Sequence, residues 1–237
     1  MEQLKDSLFS ELRVPVNAHL ALGDKTLLVT IWNWDYDEFL SFQKQAQELI
    51  QKHRDHKIFI FCNHPHCFTL GRGNERGRED LIGHDESITK DLKYPLFKIH
   101  RGGGITFHYP GQWIFYSIVS INAKYTLEDH MCFKLKGVKE VLQSSFGLSE
   151  VMATKKLMGV WYKRKKLASI GVGLNRFVTE HGLALNITYD EKMFNELKKI
   201  NPCGMDSQVY QSLDQLVPKE SNLLEKFDLE FKKRFFL

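Results

Sequence analysis

The chain has 237 residues, 43% hydrophobic and 26% charged, which fits one soluble domain able to build its own core. Its net charge of +4 favours acidic partners through steering but is too small to argue for nucleic acid. Four irregularly spaced cysteines, no bilayer-length apolar run and a mixed-charge start (Met1-Glu2-Gln3-Leu4-Lys5-Asp6) exclude a disulfide scaffold, a membrane span and a targeting peptide, and predict a cytoplasmic protein.

Leu27 to Trp32 reads as a strand. Tyr36 to Lys52 carries apolar residues at 36, 39, 40, 46, 49 and 50, which is helical spacing. Lys57 to Cys62 is a second strand, and Leu96 to His100 a third that runs into three glycines. Trp113 to Ile121 is a long aromatic and β-branched strand. Leu127, Met131, Leu135, Val138, Leu142 and Phe146 mark an amphipathic helix. Gly159 to Tyr162 and Leu167 to Leu174 read as strands joined by a hairpin tip at Lys163-Arg164-Lys165. Leu183 to Thr188 is another strand. Short helices are predicted over Met193 to Ile200 and Ser207 to Leu213. A C-terminal helix carries Leu223, Leu224, Phe227 and Phe231 on one face. No repeat or linker divides the chain, so residues 1–237 are expected to form a single catalytic domain. Strands outnumber helices and often follow one another directly, which indicates α+β rather than a regular βαβ array.

Four segments interrupt regular structure with small or reactive residues. In Asn201-Pro202-Cys203-Gly204 the proline biases Asn201 away from helix, and glycine permits a turn. A thiol there could face a cleft beside free backbone N–H groups, or simply be a small buried hydrophobe. Arg101-Gly102-Gly103-Gly104-Ile105-Thr106-Phe107-His108 offers backbone that can lie against a ligand. Arg101 could anchor an anion, and His108 could donate to an oxyanion or move a proton. The bland alternative is a glycine-rich turn with a satisfied histidine. Lys166 opens the strand-like Leu167-Ala168-Ser169-Ile170-Gly171 and could reach into a cleft, where desolvation lowers an amine's pKa. His181-Gly182-Leu183-Ala184-Leu185-Asn186 suits either an apolar ligand or a buried strand with an edge histidine.

Two patterns argue less. Cys62, His64, His66 and Cys67 are zinc ligand types, but their spacing is tighter than structural zinc uses and lacks a second half. No metal is expected. Gly71 to Arg78 lacks the Gly-Lys-Ser/Thr of a phosphate loop, and reads as a loop that orders around substrate.

Together the segments resemble the octanoyltransferases of lipoate biosynthesis. That family carries R-G-G-x-x-T-[YF]-H-x-P-G-Q, and Arg101 to Gln112 follows it. Lys166 to Gly171 follows K-[IL]-[AC]-[AS]-[IL]-G. His181 to Asn186 reads H-G-L-A-L-N, and Ile200 to Gly204 reads I-N-P-C-G. His64 to Gly71 is similar to H-P-x-x-[FY]-T-x-G. Tyr109 departs from the usual glycine, which bears on local backbone shape and chain-length preference.

The resemblance implies a mixed sheet with flanking helices, similar to the biotin/lipoate protein ligase catalytic domain. It implies Cys203 as the acyl-carrying nucleophile and Lys166 as its partner. Substrate would lie against Arg101 to His108, Ser169 to Gly171 (Ser169, Ile170, Gly171) and Gly182, Leu183 and Ala184. The donor implied is octanoyl-acyl carrier protein. The acceptors implied are lipoyl domains of 2-oxoacid dehydrogenases and the glycine-cleavage H protein. No cofactor, nucleic acid or membrane is implied. The basic run Lys163 to Lys166 and the pair Lys155-Lys156 could meet an acidic carrier, or be ordinary solvated lysines. An ATP-dependent lipoate ligase or a lipoyl-domain amidotransferase is the alternative reading.

Overall fold

A computed structural model describes residues 7–72, 92–154, 158–200 and 207–236. In the first half stand β1 (His19–Leu22), β2 (Thr26–Ile31), α1 (Tyr36–Lys52), β3 (Lys57–Cys62), β4 (Cys67–Leu70), β5 (Leu96–Lys98), β6 (Ile105–His108) and β7 (Gln112–Ile118). Then come α2 (Leu127–Phe146), β8 (Val151–Thr154), β9 (Gly159–Tyr162), β10 (Lys165–Asn175), β11 (Val178–Asn186), α3 (Glu191–Ile200) and α4 (Leu223–Phe235). Eight strands form one sheet in the order β1-β2-β3-β7-β11-β10-β9-β8, and β5-β4-β6 form a small second sheet. Both sheets are mixed: β2 runs parallel to β3 and β4 to β5, while the other pairs are antiparallel.

Period-two alternation sorts the large sheet's side chains between two cores. Ile58, Ile60, Ile114, Tyr116, Ile118 and Ala184 pack with Phe39, Phe42, Ala46 and Leu49 of α1. Phe61, Trp113, Phe115, Leu183 and Leu185 pack on the other face with Leu135, Val138 and Leu142 of α2 and Phe227 and Phe231 of α4. Helices thus cover both faces. Asp35 caps α1 by accepting from the N–H groups of Asp37 and Glu38, and Thr126 and Asp129 form a capping box on α2. A third cluster joins the small sheet to α3 through Phe68, Ile105, Phe107, Met193 and Leu197. Tyr109 belongs to this cluster, and its hydroxyl donates to Thr188 O at 3.0 Å. Its side chain therefore supports α3 and the end of β11.

α1, β3, α2 and β9 keep their expected bounds. β7 ends at Ile118 and β5 at Lys98, short of the predicted Ile121 and His100. The helix predicted over Ser207 to Leu213 does not form. Two single 3₁₀ turns stand there instead, at Ser207–Val209 and Leu213–Gln215. Between them Tyr210 bridges to Lys166, and Gln211 N–H donates to Lys166 O at 3.0 Å. Tertiary backbone bonds thus take the groups a helix would have used. Among the described residues, no helix is long and apolar enough to cross a membrane.

Candidate active site

β9 pairs with β10 only from Lys165 to Ser169. Beyond Ser169 that edge of β10 is open to other partners, and Gly102 N–H donates to Val172 O at 3.1 Å. The glycine-rich arm is thereby laid along the open edge, and a cavity of about 700 Å³ lies there. Its wall includes Arg101, Gly102, Gly103, Gly104, Ile105, Thr106, Phe107 and His108 from the arm. It also includes Lys166, Ser169, Ile170 and Gly171 from β10, and Gly182, Leu183 and Ala184 from β11. The fold thus brings three separate sequence blocks to one cavity.

Arg101 is buried and holds the arm closed. One guanidinium nitrogen donates to the carbonyls of Gly102 and Gly104, both at 3.0 Å. Another donates to Thr69 O at 3.0 Å, Thr69 Oγ1 at 2.8 Å and Thr106 Oγ1 at 2.9 Å. The fork the sequence offered to an anion is turned onto the protein's own oxygens. Gly103 takes φ +83° within this turn, a conformation costly for other residues.

His108 is also committed. Its Nδ1–H donates to Gln112 Oε1 at 3.0 Å, and its Nε2 accepts from the Thr69 hydroxyl at 3.3 Å. Burial first, then the neighbouring His64, holds its pKa well below the usual value, so the ring is neutral. Instead of a free proton shuttle, the structure shows a ring joining two polar partners. Gln112 passes the chain on by donating to Asn186 Oδ1 at 3.0 Å, and Asn186 donates to Gln211 O at 3.3 Å. This buried relay ties the arm to the segment beside Lys166.

Lys166 is 3% exposed, with its Nζ 5.5 Å from the Trp161 ring centroid. The next segment is fastened to its strand, since Lys165 Nζ donates to Gln208 O at 2.7 Å. Cys203, with Asn201, Pro202 and Gly204, lies outside the described residues, as do Lys155, Lys156 and residues 73–78 of the glycine- and arginine-containing loop. Both flanks of the Cys203 segment reach the cavity: Met193 and Leu197 before it and Tyr210 after it form part of the wall.

Within the zinc-like quartet Cys62 Sγ lies 3.8 Å from His64 Nε2, while both histidines also bond elsewhere. His64 Nδ1–H donates to Trp34 O at 2.7 Å, and its Nε2 accepts from the Tyr116 hydroxyl at 3.1 Å. His66 meets Asp190 Oδ2 at 3.1 Å. Burial pushes the Cys67 thiol up to about 12. Among the described residues, no group of three or more His, Cys, Asp or Glu is placed to hold a metal ion.

Several wall residues escaped the sequence reading, including Tyr36, Tyr116 and Met131. Tyr36 and Tyr116 were hidden because aromatic residues in a helix or strand read as core. Lys134 on α2 was equally hidden. It is wholly buried, its Nζ donates to Phe115 O at 3.0 Å, and burial holds its pKa well below the usual value. A Cβ on Gly182 would lie 2.1 Å from Phe115 O and 2.8 Å from that Nζ. Close backbone and lysine contact therefore requires this glycine.

The lipoyl protein ligase A/B catalytic domain model matches residues 35–235. An octanoyltransferase of Geotalea uraniireducens is 32% identical, over 81% of this chain and 83% of that protein. The chain belongs to the octanoyltransferase family. Another octanoyltransferase, of Prochlorococcus marinus (strain MIT 9301), is 31% identical over 73% of this chain and 76% of its own. The chloroplastic octanoyltransferase LIP2p2 of Arabidopsis thaliana is 30% identical over 84% of this chain and 67% of its own. Among solved structures, lipoate-protein ligase A bound with ATP superposes with a TM-score of 0.61 at 15% identity, covering 90% of this chain and 85% of that one. Protein Ta0514 of T. acidophilum with bound lipoic acid gives 0.61 at 14%, covering 87% and 84%. The octanoyltransferase thus has the mixed sheet with flanking helices expected of it, on the lipoate ligase fold.

Proposed function

We propose that this octanoyltransferase takes an octanoyl group from octanoyl-acyl carrier protein and passes it to a lysine of a lipoyl domain through a thioester on Cys203. It is an octanoyl-transferring acyltransferase by family. The observation that carries the finer reading is the convergence of a buried Lys166, the arm and the 169–171 and 182–184 segments on one cavity.

Ordinary thiols titrate near 8.5, so only a few per cent is thiolate at pH 7. Lys166 takes the Cys203 proton or stabilises the anion. The thiolate adds to the thioester carbonyl, the carrier thiolate leaves with the proton that Lys166 holds, one thioester replaces another, and Lys166 is left neutral. The acceptor lysine then attacks the acyl-enzyme. Only about one such amine in a thousand is neutral at pH 7, so a base must take its proton, and Lys166 fills that role. The Cys203 thiol leaves as the amide forms. The acyl group arrives activated, so no ATP enters the balance. Residues 1–237 act as one catalytic domain in the cytoplasm, and the glycine-cleavage H protein is a second acceptor.

A transfer assay separates this from the ATP-dependent ligase. Lipoyl domain incubated with enzyme and octanoyl-acyl carrier protein, without ATP, is expected to gain one octanoyl group on lysine. Free octanoate with ATP is expected to give none. Modification only with octanoate and ATP would establish the ligase instead.

A further inference from the structure

His181 is unusual on three independent counts. Its backbone stands at φ +60° within β11, a left-handed conformation uncommon outside glycine and strained when held in place. The residue is 3% exposed, yet Nδ1 has no hydrogen-bond partner among the described residues. It also forms part of the cavity wall.

The local structure is built to aim this ring. Regular pairing of β11 with β7 stops at Gly182 and Tyr116, then returns at Val178 and Ser120 in the same register. Side chains bridge the gap. Gln43 Oε1 accepts from His181 N–H at 2.8 Å, and the Thr179 hydroxyl donates to Ser117 O at 2.6 Å and accepts from Val119 N–H at 3.0 Å. Alternation would send His181 to the α2 face with Leu183 and Leu185. Instead its ring centroid is 6.3 Å from that of Tyr116, which packs on the α1 face. The backbone strain thus redirects the side chain into the cavity.

Burial, reinforced by Arg101, His100 and His64, draws its pKa down to about 3. The ring is a neutral imidazole, with one N–H donor and one acceptor. Its register partner is Val172, and Lys166 lies six residues back on the same strand. At about 3.3 Å per residue that is roughly 20 Å. His181 therefore serves a group well removed from the carbonyl under attack beside Lys166. Its end of the cavity reaches the surface: Gly102, joined to Val172, and the wall residues Leu174, His100 and Arg72 are all exposed there.

On the transferase reading above, we propose that His181 is a substrate-binding residue whose ring N–H donates to an amide carbonyl oxygen of the thiol arm that carries the acyl group. The arm enters at the Arg72 and His100 end and passes His181 on its way to Lys166.

Steady-state kinetics with two small donors tests this: octanoyl-pantetheine, whose arm has amides, and octanoyl-ethanethiol, whose arm has none. His181→Leu is expected to raise KM for octanoyl-pantetheine about tenfold, the value of one hydrogen bond. Its kcat with that donor and both constants for octanoyl-ethanethiol should stay within twofold. His181→Asn tolerates the left-handed backbone and keeps an N–H donor, so it should restore much of the KM. Equal effects on both donors, or none on either, would overturn the proposal. A kcat loss with both donors would place the ring at the reacting carbonyl or in the fold. A wild-type enzyme inert toward these donors and octanoyl-acyl carrier protein alike would overturn the transferase reading itself.

Discussion

Lys166→Ala should lower kcat for octanoyl transfer by about 10²–10⁴-fold, the range for a positioned acid–base group. The side chain is buried at the cavity wall and lies over Trp161, so truncation also removes packing. Lys166→Met separates the two effects, because it keeps an apolar stem of similar length without the amine. Both variants should lose turnover, while Lys166→Met should melt close to the wild type. Each should also slow iodoacetamide alkylation of Cys203 at pH 7. Without the amine, alkylation should rise with pH as the thiol ionises unaided, because thiols ordinarily titrate near 8.5. Wild-type alkylation rates in Lys166→Met would remove Lys166 from the activating role.

Arg101→Met should act chiefly on stability. Among the described residues the guanidinium makes five hydrogen bonds that hold Gly102, Gly104, Thr69 and Thr106 together. Removing it strips a donor from the carbonyls of Thr69, Gly102 and Gly104, of which Gly104 O keeps the Gly71 N–H, and each buried oxygen left unpaired costs about 1–3 kcal/mol. A total loss of about 3 kcal/mol is expected, near 6–12 °C in Tm for a chain of this size. Arg101→Lys should recover only part, since an ammonium cannot reproduce the fork. A calorimetric Tm within 2 °C of the wild type for Arg101→Met would contradict the clip role.

Much of the fold was legible because burial on one side leaves a period. The apolar positions of α1 and α2 marked their full length, and the β9–β10 turn was visible in the charged run from Lys163, although Lys165 already belongs to β10. β7 is buried along its whole length, so alternation could not mark its ends. The Ser207 to Leu213 helix failed because distant backbone, at Lys166, decides that segment. The glycine arm and the three cavity segments were legible as blocks of small residues. What each polar side chain bonds to was not, since Arg101 and His108 find partners at Thr69, 32 and 39 residues away. His181 was seen as an edge histidine. Its strained backbone, which turns it into the cavity, has no local sequence signal.

A thioester on Cys203 can be seen directly. Intact-protein mass spectrometry after brief mixing with octanoyl-acyl carrier protein, without acceptor, tests it most directly. The wild type should gain the mass of one octanoyl group, removable by hydroxylamine as a thioester is, and Cys203→Ala should gain nothing. An unmodified wild type that still octanoylates lipoyl domains, or a Cys203→Ala variant that is labelled equally, would show that Cys203 does not carry the acyl group.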